Sequence, residues 1–70
     1  MNELIFIVEE DVDGGYSANA LGVSIFTQGD TIEELKTNIK DALKCHFDNE
    51  AGIPKIIRLH QVIEEVFAYA

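Results

Sequence analysis

The chain has 70 residues, of which 13 are Asp or Glu and 5 are Lys or Arg, for a formal charge of −8. Common domains run to ~100–150 residues, so there is room for one small domain and none for separate nucleotide and substrate domains. The charge argues against a nucleic-acid backbone, where Lys and Arg must neutralise phosphates, and suits a basic protein partner.

Hydrophobic residues make up 47% and charged residues 26%, as expected for a folded chain and not a disordered one. A domain this short buries only about 60% of the surface its unfolded chain exposes, so self-association would add useful stability. Cys45 is the single cysteine and cannot form an internal disulfide, so nothing calls for an oxidising compartment. The apolar run Leu4–Val8 falls far short of the ~20 residues of a membrane span. It is also shorter than a signal-peptide core of ~7–15 residues. The expected location is the cytoplasm.

Leu4–Val8 reads as a central strand covered on both faces, because it is continuously apolar and ends at Glu9, Glu10 and Asp11. Asp13-Gly14-Gly15 supplies the positive φ angles of a tight hairpin turn. Tyr16–Leu21 alternates, with Tyr16, Ala18 and Ala20 on one face and Ser17, Asn19 and Leu21 on the other. Gly22 interrupts it, and Val23–Thr27 alternates again, with Val23 and Ile25 opposite Phe26. The glycines and small residues of this stretch suggest close backbone approach or a bulge. Together the three segments form an antiparallel meander.

A helix begins after Gln28-Gly29-Asp30 and runs to about Phe47. Asp30 with Glu33, or Thr31 with Glu34, supplies the N-terminal capping pair. Ile32, Leu35, Ile39, Ala42, Leu43 and His46 form its apolar stripe. Ile56–Ala70 is ambiguous. Its periodicity leans towards helix through Ile56, Leu59, His60, Ile63, Val66 and Phe67, while its β-branched content favours strand. Topology decides for a strand over about Lys55–Phe67. Such a strand, reached by a right-handed helical crossover, would lie beside Leu4–Val8 and make that strand central.

Asp13-Gly14-Gly15-Tyr16-Ser17-Ala18, Leu21-Gly22, Gln28-Gly29-Asp30-Thr31-Ile32-Glu33-Glu34-Leu35, Asn38 and Asp41-Ala42-Leu43 resemble the HicB-like antitoxin family. Arg58-Leu59-His60 is similar to that family's last strand. The resemblance implies an α+β, partial RNase-H-like fold, β-β-β-α-β. In it the three-stranded antiparallel meander gains a fourth strand beside the first, and one helix packs on one face. It implies a binding protein that silences a HicA-type toxin, a small basic mRNA-cleaving protein. Full-length relatives usually carry a C-terminal DNA-binding module. The expectation here is a single HicB-like domain over residues 1–70 without that module, so operator binding does not carry over. Ala18-Asn19-Ala20-Leu21-Gly22-Val23 also stands where many relatives have a Pro-Gly-Cys type turn.

No residue pattern argues for catalysis. Metal-dependent ribonuclease-H-like enzymes need a carboxylate in the middle of the first strand, and Leu4–Val8 has none. The acids at Glu9, Glu10, Asp11 and Asp13 read as a solvated or partner-facing loop. His46 and His60 read as half-buried histidines with local hydrogen bonds. Cys45 and His46 are adjacent on a helix, so they diverge by about 100° and do not suit a zinc site. Cys45 reads as a spare reduced thiol. Lys36, Lys40 and Lys44 form a positive seam on one helix flank, paired locally as Glu33–Lys36 and Asp41–Lys44 or meeting the acids of a neighbouring subunit. Gly14-Gly15 lacks the strand–glycine–helix order of a phosphate loop. Tyr16 and Phe26 are expected on the exposed sheet face, which one helix leaves without cover.

The reading is therefore a non-catalytic binding protein without metal or cofactor. Its partner-facing residues would be Glu9, Glu10, Asp11, Asp13 and Tyr16. Its partners would be a basic HicA-like toxin and its own copies, as a homodimer or higher homo-oligomer. The alternative is an orphan self-associating domain that has lost its toxin.

Overall fold

The computed structural model describes residues 2–63 and 67–69. The fold is α+β. Strands β1 (Glu3–Glu10), β2 (Tyr16–Ala20) and β3 (Phe26–Gly29) precede helix α1 (Ile32–His46). A 3₁₀ turn at Glu50–Gly52 then leads into strand β4 (Ile56–Val62). The sheet order is β3-β2-β1-β4, antiparallel within the meander and parallel between β1 and β4. The fourth strand thus lies beside the first, as expected.

The core sits between one sheet face and α1. Leu4, Phe6 and Val8 alternate along β1 and are buried with Ala18, Ile25, Leu35, Ile39 and Leu43. Burying each of these side chains other than Ala18 contributes about 1.5–3 kcal/mol. The alternation corrects one expectation for β1. It is central, but covered on one face only, and Ile5 and Ile7 are half-buried on the open side. Ile5 and Ile7 still read as core in a sequence because strand β1 is flanked on both sides, and neighbouring strands shade them.

The β1–β2 loop is wider than a two-residue hairpin. Glu10 pairs with Tyr16, so residues 11–15 form the connection. The Gly14 amide donates to the Asp11 carbonyl at 3.0 Å, and the Asp11 amide to the Gly15 carbonyl at 3.0 Å. Gly14 and Gly15 both carry the positive φ that this path requires.

The third strand starts later than the alternation suggests. The Ile25 amide donates to the Val23 carbonyl at 3.1 Å, a three-residue turn that takes Val23 and Ser24 out of the ladder. Ile25 still points into the core and Phe26 away from it. The close backbone approach lies elsewhere. A Cβ on Gly22 would meet open space, whereas one on Gly29 would lie 2.6 Å from the Leu35 nitrogen.

Thr31 is the residue that caps α1, its hydroxyl accepting from the Glu34 amide at 3.0 Å. Glu34 reaches back, but to the Asp30 amide at 3.2 Å, one residue beyond the usual capping box. Asn38 ties the helix to the sheet by donating to the Gln28 carbonyl at 2.6 Å. The apolar stripe follows the sequence pattern except at its end, where His46 is exposed. It meets Phe47 edge-on, with ring centroids 5.0 Å apart.

β4 ends at Val62, short of the expected Phe67. Residues 64–66 of that expectation lie outside the described residues, and Ile63 and Phe67 are exposed and non-strand. No helix among the described residues is long and apolar enough to cross a membrane.

Candidate functional site

The β1–β2 loop and the path of β3 determine where the charges gather. β1 runs towards Glu10, and the meander brings β3 back to the same end, where Gly29 pairs with Tyr16 and Tyr16 with Glu10. α1 must therefore start at this end as well. Its first turn carries Glu33 and Glu34, just after Asp30. Glu9, Glu10, Asp11 and Asp13 consequently share one end of the molecule with Asp30, Glu33 and Glu34. All seven are exposed.

Two shallow hollows open there and share Asp11. One, of about 370 Å³, is lined by Glu9, Glu10, Asp11, Gln61, Val62 and Ile63. The other, of about 280 Å³, is lined by Asp11, Gly14, Gly15, Tyr16, Gln28, Gly29, Asp30 and Glu34. The positive end of the helix dipole points at this cluster and offsets part of its self-repulsion. Among the described residues, no group of three or more His, Cys, Asp or Glu is placed to hold a metal ion. The end is thus a broad acidic surface with an apolar side chain at its tip, since Val12 is fully exposed between Asp11 and Asp13.

Glu9, Glu10, Asp11 and Asp13 are brought together as the sequence suggests. Tyr16 is not on the open sheet face as expected. Its register puts it on the helix side with Ala18 and Ala20, half-buried against the core at the rim of the second hollow. Phe26 does lie on the open face, paired with Asn19 and exposed. Sequence reasoning missed Asp30, Glu33 and Glu34 as members of the acidic end, having given them local roles at the helix start: capping and, for Glu33, a pair with Lys36. It also missed Val12, and Gln61 to Ile63, whose place follows from the parallel register of Glu9 with Val62.

The basic residues lie elsewhere. Lys36 and Lys40 flank an apolar hollow of about 210 Å³ floored by Ile39, Ile57 and Leu59. Lys44 and Lys55 border its continuation along Leu43, Ile53 and Pro54. All four lysines of the chain thus line one groove between α1 and β4. Lys36 pairs with Glu33 at 3.5 Å, while the expected Asp41–Lys44 pair is absent among the described residues. Arg58 pairs with Glu3, whose accepting carboxylate raises the pKa of the guanidinium, first by the hydrogen bond and then by its charge. Both histidines are exposed, which corrects the half-buried reading, and Cys45 is an exposed free thiol.

No family model matches the chain, and no solved structure matches it. A UPF0150 protein of Thermotoga maritima is 50% identical over 66 residues, covering 94% of this chain and 91% of that protein. A UPF0150 protein of Archaeoglobus fulgidus is 57% identical over 53 residues, covering 76% of this chain and 77% of that protein. Identity at this level over most of both chains places the protein in the UPF0150 family.

Proposed function

We propose that the protein is a HicB-like antitoxin domain that silences a HicA-type toxin by binding it, without catalysis of its own. The observation that carries the reading is the acidic end. Its exposed carboxylates come from two segments about twenty residues apart in the chain, and none is needed for packing. A basic RNA-cleaving partner presents the complementary field, because its own substrate is a polyanion. Electrostatic attraction would speed encounter, and Val12 with the apolar rim at Val62 and Ile63 would hold the complex. The motifs from Asp13 to Leu43 that resemble the HicB-like family point the same way.

The test is co-expression with the small basic reading frame adjacent to the gene, followed by size-exclusion chromatography. Co-elution is expected, with relief of the toxin's growth arrest. Reversing Asp11 and Asp13 to Lys together should weaken binding at least tenfold while leaving the fold intact. Absence of co-elution with any neighbouring basic protein, or binding indifferent to that reversal, would sink the reading. In that event the orphan self-associating domain takes its place, favoured by the open sheet face with Ile5, Ile7 and Phe26.

A further inference from the structure

β4 closes one side of the sheet. It pairs with β1, and among the described residues no strand lies beyond it. Folded proteins usually guard such an edge with proline, lysine, a bulge or a short strand. β4 has none of these over its seven residues, Ile56–Val62. Its one charged side chain, Arg58, is held across to Glu3. Phe67 and Tyr69 are exposed. α1 gives no cover either. It approaches β3 and β2 most closely and leaves Ile57 and Leu59 half-buried beside a groove.

We infer that the outer edge of β4 is an interface between two copies of this chain, paired antiparallel about a two-fold axis at Leu59. The sequence IIRLHQV is self-complementary in that register. Ile56 faces Val62 of the second copy, Ile57 faces Gln61, Arg58 faces His60, and Leu59 faces itself. Ile56 and Val62, each about half exposed in one chain, cover one another on the open face. The two Leu59 side chains meet on the helix side, where the apolar groove lacks a wall.

Charge fits the same arrangement. Antiparallel pairing lays the acidic end of each copy beside the start of β4 in the other, just after Lys55. The β1–β4 register ends at Glu9 with Val62; carried one step past the strand ends in both interfaces, it sets Glu10 level with Ile63 and Ile63 opposite Lys55 of the second copy. Glu10 and that Lys55 are then two strand spacings apart, about 10 Å between Cα atoms, a gap that two long side chains can span. Asp11, Asp13 and Asp30 stay free, so the interface does not depend on the toxin reading, although the two surfaces share Glu10, Val62 and Ile63 at the rim of one hollow.

The test begins with light scattering on the purified protein at tens of micromolar, where a mass twice the 7.8 kDa of one chain is expected. A Leu59→Cys variant in a Cys45→Ser background should cross-link to a dimer on mild oxidation. Antiparallel partners lie about 4.5–5.5 Å apart at Cα, within disulfide reach. Ile56→Lys, at an exposed position, should raise the dimer dissociation constant at least tenfold with an unchanged circular dichroism spectrum. Adding Val62→Glu to it should restore the dimer, because each new lysine then faces a carboxylate. A monomeric parent would leave the edge to another protein's strand and overturn the proposal. So would a dimer that Leu59→Cys fails to cross-link, or a double variant no tighter than Ile56→Lys alone.

Discussion

Gly29→Ala should be among the most damaging small substitutions in the chain. Gly29 ends β3 and is buried beneath the first turn of α1. A Cβ there would lie 2.6 Å from the nitrogen and 2.8 Å from the Cα of Leu35. Both are backbone atoms of a helix, so no side-chain rotation relieves the contact. The shortfall from the 3.4 Å at which ordinary contact begins is roughly 0.8 Å, a steric overlap that only a shift of the helix or the strand removes. Leu35, wholly buried, would be lifted first, with Ile39 one turn behind it. Overpacking of this kind costs about 1–3 kcal/mol. In a domain of this size each kcal/mol shifts Tm by about 4–8 °C, so a fall of roughly 10–15 °C is expected. Thermal unfolding followed by circular dichroism at 222 nm measures it. Gly14→Ala is the control, since its Cβ meets nothing and only the left-handed backbone costs, about 1 kcal/mol. If Gly29→Ala falls by less than about 3 °C, or by less than Gly14→Ala, the close-approach argument is wrong.

Phe6→Ala, at the fully buried centre of β1, should cost about 3–5 kcal/mol, a large part of the whole stability of so small a domain, and show as loss of cooperative unfolding in urea. Thr31→Ala removes the hydroxyl that accepts from Glu34 and should cost about 1 kcal/mol, read as a lower urea midpoint at constant slope. Asn38→Ala releases the Gln28 carbonyl at the β3–α1 junction and should cost about 1 kcal/mol, with faster amide exchange in the first turns of α1. Asp11→Asn with Asp13→Asn should leave Tm unchanged or slightly raised, because both carboxylates are exposed among like charges; a fall of several degrees would mean that they hold the loop.

Much of the fold is legible in the residues because several local signals agree. Leu4 to Val8 as a central strand, Gly14-Gly15 as a positive-φ reversal and the stripe from Ile32 to Leu43 are all found, although β1 is covered on one face only and the reversal spans residues 11–15. Val23 and Ser24 misled, since alternation reports which face a side chain takes and not whether its backbone joins a ladder. Ile25 bonding back to Val23 is a turn that leaves the alternation intact. The last strand was decided by topology against periodicity. Ile56, Leu59 and His60 have helical spacing, yet the parallel register with β1 puts Ile57 and Leu59 on the core side and Ile56 and His60 on the other. Tyr16 was misplaced for a related reason. Its alternation with Ala18 already put it on the core side, but it was grouped with Phe26 on the sheet face that one helix leaves without cover.

The acidic end was only half legible, and the missing half is tertiary. Glu9 to Asp13 is visible as a run, whereas Asp30, Glu33 and Glu34 have a sufficient local explanation at a helix start. They join the run because the meander reverses twice and returns β3 to the Glu10 end. This convergence is what the proposed recognition surface rests on. A charge of −8 spread over the surface would keep the protein soluble at less self-repulsion. Instead seven of the 13 acids crowd one end while all four lysines line a groove on the helix flank. Crowding raises the field at that end well above what net charge alone provides. The two hollows beside Asp11 place that field next to apolar side chains, where a basic partner would meet both.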